Sequence, residues 1–194
     1  MLFVKYFMLF LILVASVLLG KNIARKYVNR LKELEEMRTA LNIFRSKVSF
    51  TYSPIPEIFE EIAKDSKGNI GKIFSAASKK MEKVTANIAW SEAINEVDSN
   101  LNKEDKKILE NLSKLLGQTD VEGQISQIDI TQKFLDNQIQ DAIDEKQKNE
   151  KLYSKLGITI GLAIVVVLAW NWLWWIEFVP WERDDSKNGY KFII

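Results

Sequence analysis

Residues 53–63 read SPIPEIFEEIA and hold two of the chain's three prolines. How this stretch is read decides whether the chain turns here or runs on extended. With Ser53 as a cap, Pro54 falls at the first position of a helix and Pro56 at the third. Backbone N–H groups in a first turn have no intrahelical partner, so proline there forfeits no helical hydrogen bond. Its fixed φ pre-sets helical geometry, and the restriction on the residue before each proline stops the preceding helix near Phe50. Glu57, Glu60 and Glu61 then lie near the positive end of the helix dipole. A proline-rich docking motif would want extended geometry, whereas Ile55, Ile58, Phe59 and Ile62 recur at helical spacing. The stretch is a rigid corner that reverses the chain, with Ser53, Pro54 and Pro56 as its structural residues.

On either side of the corner, apolar residues recur every three or four positions, the mark of one buried helical face. Before it come Ile23, Tyr27, Leu31, Leu34, Leu41, Phe44 and Val48. After it come Ile70, Ile73, Phe74, Ala77, Met81 and Val84, then Trp90, Ala93, Ile94 and Val97, then Ile108, Leu109, Leu112, Leu115 and Leu116. A last helix starts near Asp120 with Val121, Ile125, Ile128, Leu135, Ile139 and Ile143, and runs on past Leu152 and Leu156. Gly68 and Gly117 are placed where helix C-termini take a residue of positive φ. Asn102 with Asp105, and Thr119 with Glu122, are spaced as capping boxes. No stretch between these helices alternates as a strand does. The pattern predicts an all-α fold, an antiparallel bundle of about six helices.

At both ends the bundle meets an uncharged apolar run: YFMLFLILVASVLLG at 6–20 and LGITIGLAIVVVLAWNWLWWI at 156–176. At about 1.5 Å per residue each approaches or exceeds the length a bilayer core requires. A cleaved signal peptide would also begin with a cation such as Lys5, but no A-x-A site follows the apolar core. The organisation expected is a transmembrane helix at 1–20, a bundle at 21–155, a transmembrane helix at 156–176 and a tail at 177–194. Lys21, Arg25, Lys26 and Arg30 flank the first run, and Lys151 and Lys155 flank the second. By the positive-inside rule these six set the topology, with the bundle cytoplasmic and both termini outside. The lipid bilayer is thus the first partner, and the tryptophans at 170, 172, 174, 175 and 181 fit an interfacial belt.

Composition narrows the chemistry. The 27 Lys and Arg nearly balance 26 Asp and Glu, which gives no field to gather nucleic acid. With no His and no Cys, the commonest general base, the commonest metal ligand and thiol catalysis are all missing. Asp141, Asp144 and Glu145 can share a helix face, but a di-iron bundle also needs Glu-x-x-His pairs. Gly68 and Gly71 are not followed by the Lys-Ser/Thr of a phosphate loop. The reading is a non-enzyme without catalytic, cofactor or metal residues, and without a small-molecule substrate. Trp90 is read as a core residue. Glu57, Glu60 and Glu61 form the most acidic accessible turn and are the candidate partner-binding residues.

Several segments, in order, resemble the stage III sporulation protein AB family of endospore-forming bacteria. They are GKNIARKY (20–27), LKELEEMRTALNIFRSKVSF (31–50), SPIPE (53–57), AWSEAI (89–94), NKEDKKIL (102–109), LGQTDVEGQ (116–124) and EKQKNEKLYSKLGITIGL (145–162). The resemblance runs to about residue 168, and the tail departs from it. It implies a soluble part similar to the cytoplasmic domain of the platform protein of type II secretion and type IV pilus machines. It also implies a scaffold in the mother-cell membrane, facing the forespore, working in a channel-like complex with other membrane subunits. A secretion-type ATPase, stage III sporulation protein AA, would be its cytoplasmic partner. The alternative is a regulatory or signalling membrane protein whose helical domain relays a state across the bilayer.

Overall fold

The computed structural model describes residues 2–51, 53–178, 183–184 and 189–190. Among them, six helices follow one another: α1 Leu2–Phe50, α2 Ile55–Asp65, α3 Gly68–Lys80, α4 Ala86–Glu96, α5 Lys103–Ser113 and α6 Val121–Phe178. The two outer helices are long because nothing interrupts them. No proline or glycine pair breaks the passage from the apolar run at 6–20 into the amphipathic stretch after it, nor the reverse passage in α6. As the lack of a breaker predicts, each expected span is continuous with its neighbouring amphipathic helix, within α1 and α6. Both α1 and α6 hold stretches long and apolar enough to cross a membrane.

Two compact units divide the chain, Ile23–Lys151 in one and Met1–Asn22 with Leu152–Ile194 in the other. In the first, α2 packs on α3, α3 on α4 and α4 on α5, an up-and-down order that short connections enforce. The amphipathic parts of α1 and α6 lie antiparallel, joined by Arg45 to Asp129, Asn42 to Gln132 and Arg38 to Asp136. Moving down α1 by one turn moves up α6 by one turn.

The core is built around aromatic rings, one each from α1, α2, α3 and α4. Phe59 meets Phe44 at 5.1 Å, Phe74 at 4.9 Å and Trp90 at 5.3 Å, all edge to face. Such geometry sets a ring's positive edge against its neighbour's negative face. Trp90 is fully buried, and its indole Nε1–H donates to the Leu109 carbonyl of α5 at 2.8 Å. Its expected place in the core holds. Ile23, expected on the buried face, is 42% exposed, and the buried residue there is Ala24.

The connections refine the sequence reading by small shifts of register. Pro54 itself occupies the N-cap of α2, at φ −59°, and Ser53 makes no capping hydrogen bond. The helix therefore begins at Ile55 with Pro56 at its second position. Both prolines still fall where no N–H is needed, because the Pro54 carbonyl receives the first bonds from Glu57 and Ile58. The Asn102–Asp105 capping box forms in both directions. The expected Thr119–Glu122 box does not: the Asp120 carboxylate caps α6 by accepting from the Gly123 N–H. Asp120 is a charged acceptor one residue nearer the first free N–H groups, while the Thr119 hydroxyl points back to the Leu115 carbonyl. Gly68 and Gly117 do take positive φ, 74° and 72°, Gly68 at the start of α3 rather than the end of α2.

In the second unit the two apolar helices meet through their smallest residues. Ser16 Oγ donates to the Gly157 carbonyl at 2.7 Å. A Cβ on Gly20 would come within 2.7 Å of the Tyr153 carbonyl oxygen, so only glycine fits. Close approach through small residues is how helices associate where lipid offers no hydrophobic drive. Leu11, Leu18, Ile160, Val167 and Trp170 are exposed. The side chains of Trp172, Trp174, Trp175 and Trp181 lie outside the described residues. In the tail, Arg183–Asp184 (β1) pairs antiparallel with Gly189–Tyr190 (β2).

Candidate functional site

The candidate partner surface is the outer face of α2. Ile58, Phe59 and Ile62 turn into the core, so the helical period forces Glu57, Glu60 and Glu61 outward, and all three are exposed. Two of them have cationic neighbours. Lys64, one turn along α2, lies 2.8 Å from Glu60, and Lys47 of α1 pairs with Glu61. Hydrogen bonding from Lys64, reinforced by its charge, holds the Glu60 carboxyl below its usual range, and the same contact raises Lys64. Glu57 makes no ion pair among the described residues. The turn therefore presents less net negative charge than the sequence indicates, with Glu57 its freest carboxylate. Ser78 Oγ donates to the Pro56 carbonyl at 3.0 Å and ties α3 to this corner.

The six flank cations divide. Lys21, Arg25, Lys26, Lys151 and Lys155 are exposed. Arg30 is not a free flank charge: its side chain is only 7% exposed, and it is the centre of the bundle's main ionic cluster. Its guanidinium grips Asp105 in two parallel bonds, Nε to Oδ2 at 2.8 Å and one terminal nitrogen to Oδ1 at 2.9 Å. The other terminal nitrogen donates to Glu145 at 2.7 Å, and the nitrogen on Oδ1 donates also to the Gln138 side-chain carbonyl at 3.0 Å. Hydrogen bonds to Asp105, with the charges of Asp105 and Glu145, raise the Arg30 pKa above its ordinary value despite burial, which opposes them. Planar, bidentate pairing is what Arg provides and Lys does not. One side chain thereby joins α1, α5 and α6.

A second buried charge stands one turn further along α1. Glu33 is 7% exposed, and neutral donors surround its carboxylate: the side-chain amides of Asn69 and Asn100 and the backbone N–H of Asn100. Arg30 and Glu33 thus hold the start of α5 and the connection before it, through Asp105 and Asn100 respectively. Sequence reasoning missed Glu33, Asn100 and the role of Asp105, although a signal was present. Arg30 continues the buried series Leu34, Met37, Leu41, Phe44 and Val48 at steps of four and three. Asp105 likewise precedes Leu109, Leu112 and Leu116, and Gln138 and Glu145 alternate with Leu135 and Ala142. Polar residues on core-stripe positions of three helices are candidates to meet one another. Among the described residues no group of three or more His, Cys, Asp or Glu is placed to hold a metal ion.

Fold and site together define a small all-helical bundle with two candidate membrane helices, whose buried charges tie helices to one another. The family model described as stage III sporulation protein AB matches residues 5–169. Stage III sporulation protein AB of Bacillus subtilis (strain 168) is 27% identical over 161 residues, 81% of this chain and 94% of that protein. A solved structure of a stage III sporulation protein AB shares the fold at a TM-score of 0.57 and 21% identity, over 62% of this chain and 98% of its own. The chain belongs to the stage III sporulation protein AB family. The resemblance drawn from the ordered segments is thereby established, and the matched region stops before the tryptophan-rich tail.

Proposed function

We propose that the chain is a non-enzymatic membrane scaffold, a platform subunit of a secretion or channel complex that acts between mother cell and forespore during sporulation. Its bundle faces the cytoplasm, and both termini lie outside. It couples to a secretion-type ATPase, stage III sporulation protein AA, alongside other membrane subunits of the same complex. The observation that carries this reading is the pair of long helices: α1 and α6 each pass without a break from a packed amphipathic stretch into an apolar one. A protein built this way offers partners a folded surface fixed to a bilayer. The basic flanks support the orientation, and family membership supports the cellular setting.

Recognition would use charged outer faces such as Glu57, Glu60 and Glu61, since the buried charges are engaged in holding helices together. The test is binding of the purified full chain to the ATPase, across a range of salt. Association is expected, and the Glu57→Lys, Glu60→Lys, Glu61→Lys variant should bind more weakly, most visibly at low salt, because rim charges act mainly on encounter. Association unaltered in the triple variant removes α2 as the docking face. No association of the wild-type chain under any condition removes the ATPase from the proposal.

A further inference from the structure

We infer that the end of the bundle at which α1 enters and α6 leaves binds anionic lipid headgroups, through Arg25, Lys26, Lys148 and Lys151. This rests on the reading that the apolar parts of α1 and α6 lie in a bilayer.

The four cations are brought together by the antiparallel packing of the two helices. Arg30 reaches Glu145, so residues one turn earlier on α1 stand level with residues one to two turns later on α6, within about 10 Å along the axis. All four side chains are exposed. The apolar Ile23, exposed at 42%, precedes them on α1.

Elsewhere on the bundle some cations have found carboxylates, while others, such as Lys67, Lys103, Lys107 and Lys114, stand singly without an ion pair among the described residues. Lys32 faces Glu36, Arg38 faces Asp136 and Arg45 faces Asp129. Lys47 faces Glu61, and Lys80 lies between Glu92 and Glu96. None of Arg25, Lys26, Lys148 and Lys151 makes an ion pair among the described residues. On α1 no Asp or Glu occurs from the start of the apolar run to Glu33. A cluster of exposed cations that outnumbers Asp144 and Glu150 on the same stretch of α6, where the apolar runs begin, is complementary to a plane of phosphates above hydrocarbon. Each such cation near an anionic membrane surface raises affinity roughly fivefold.

The experiment compares the full chain with its Arg25→Gln, Lys26→Gln, Lys148→Gln, Lys151→Gln variant, which keeps Lys21 and Lys155. Both are reconstituted with phosphatidylcholine and phosphatidylglycerol in equal amounts, and the lipids retained after gentle extraction are counted by native mass spectrometry. The wild type should retain phosphatidylglycerol in severalfold excess, and the variant should lose most of that preference with its helical circular dichroism intact. A control removing Lys103, Lys107 and Lys114 of α5 should keep the preference. An even ratio in the wild type overturns the proposal, as does a preference that survives in the variant or falls equally in the control. Those outcomes leave the spans standing. Extraction of the wild type from membranes by alkaline carbonate overturns the span reading and this proposal together.

Discussion

Arg30 and Asp105 show how a single pair can define an interface among three helices. Asp105 is fully buried, accepts from the Asn102 N–H as part of its capping box and receives two bonds from Arg30. Removing the cation alone leaves a carboxylate buried without its counter-charge. Arg30→Met should therefore cost about 3–5 kcal/mol, whereas the double variant Arg30→Met, Asp105→Asn should recover most of it, because the neutral amide still caps α5. Thermal unfolding of the purified chain, followed by circular dichroism, checks both values. Equal losses in single and double variants would mean that the pair itself, not the stranded charge, carries the stability. Trp90 is the apolar counterpart. Its truncation to Ala removes two ring contacts, with Phe59 and Phe74, and the bond to Leu109, and should cost about 3–5 kcal/mol by the same measurement.

Among the elements, the corner at 53–57 and the crossing of the two apolar helices are the informative pieces. Pro54 lies at φ −59°, a value the ring imposes anyway, so its contribution comes from the narrower unfolded ensemble rather than from contacts. Pro54→Ala with Pro56→Ala should lower stability by about 0.4–1 kcal/mol per proline while α2 stays helical. An unchanged melting profile together with lost partner binding would make the corner a recognition motif. At the crossing, a Cβ on Gly161 would lie 3.2 Å from the Ser16 Cβ, so a parting of the helices by a few tenths of an ångström brings the pair to the roughly 3.5–4.5 Å a disulfide spans. The chain has no cysteine of its own, so Ser16→Cys with Gly161→Cys should cross-link under mild oxidation without background. Adding Gly20→Leu, which no longer fits against the Tyr153 carbonyl, should suppress that cross-link. Its persistence would show that the helices do not meet at Gly20.

For the whole molecule, the testable property is orientation. Single cysteines at Lys67 and at Asn188 should label oppositely in intact cells, Asn188 from outside, and an impermeant reagent reaching Lys67 would overturn both the orientation and the ATPase coupling. The helical class, the two apolar runs and the chain reversal at the prolines were legible in the sequence. Each follows from local rules: periodicity, hydropathy over a window, and the fixed φ of proline. Trp90 could be assigned to the core because a large apolar residue on an apolar stripe has one favourable place. The partner choices of the charged residues were not legible. Arg30 reads as a flank cation when judged by its distance from the apolar run, and Asp105 as a helix cap when judged by its neighbour Asn102. Only the packing of α1 against α5 and α6 brings them within 3 Å and keeps water out. The same packing pairs Lys47 with Glu61 and so reduces the acidity of the α2 face. A residue's secondary structure is decided within a few positions of it, but its charge environment is decided by residues dozens of positions away, and only the tertiary structure brings those together.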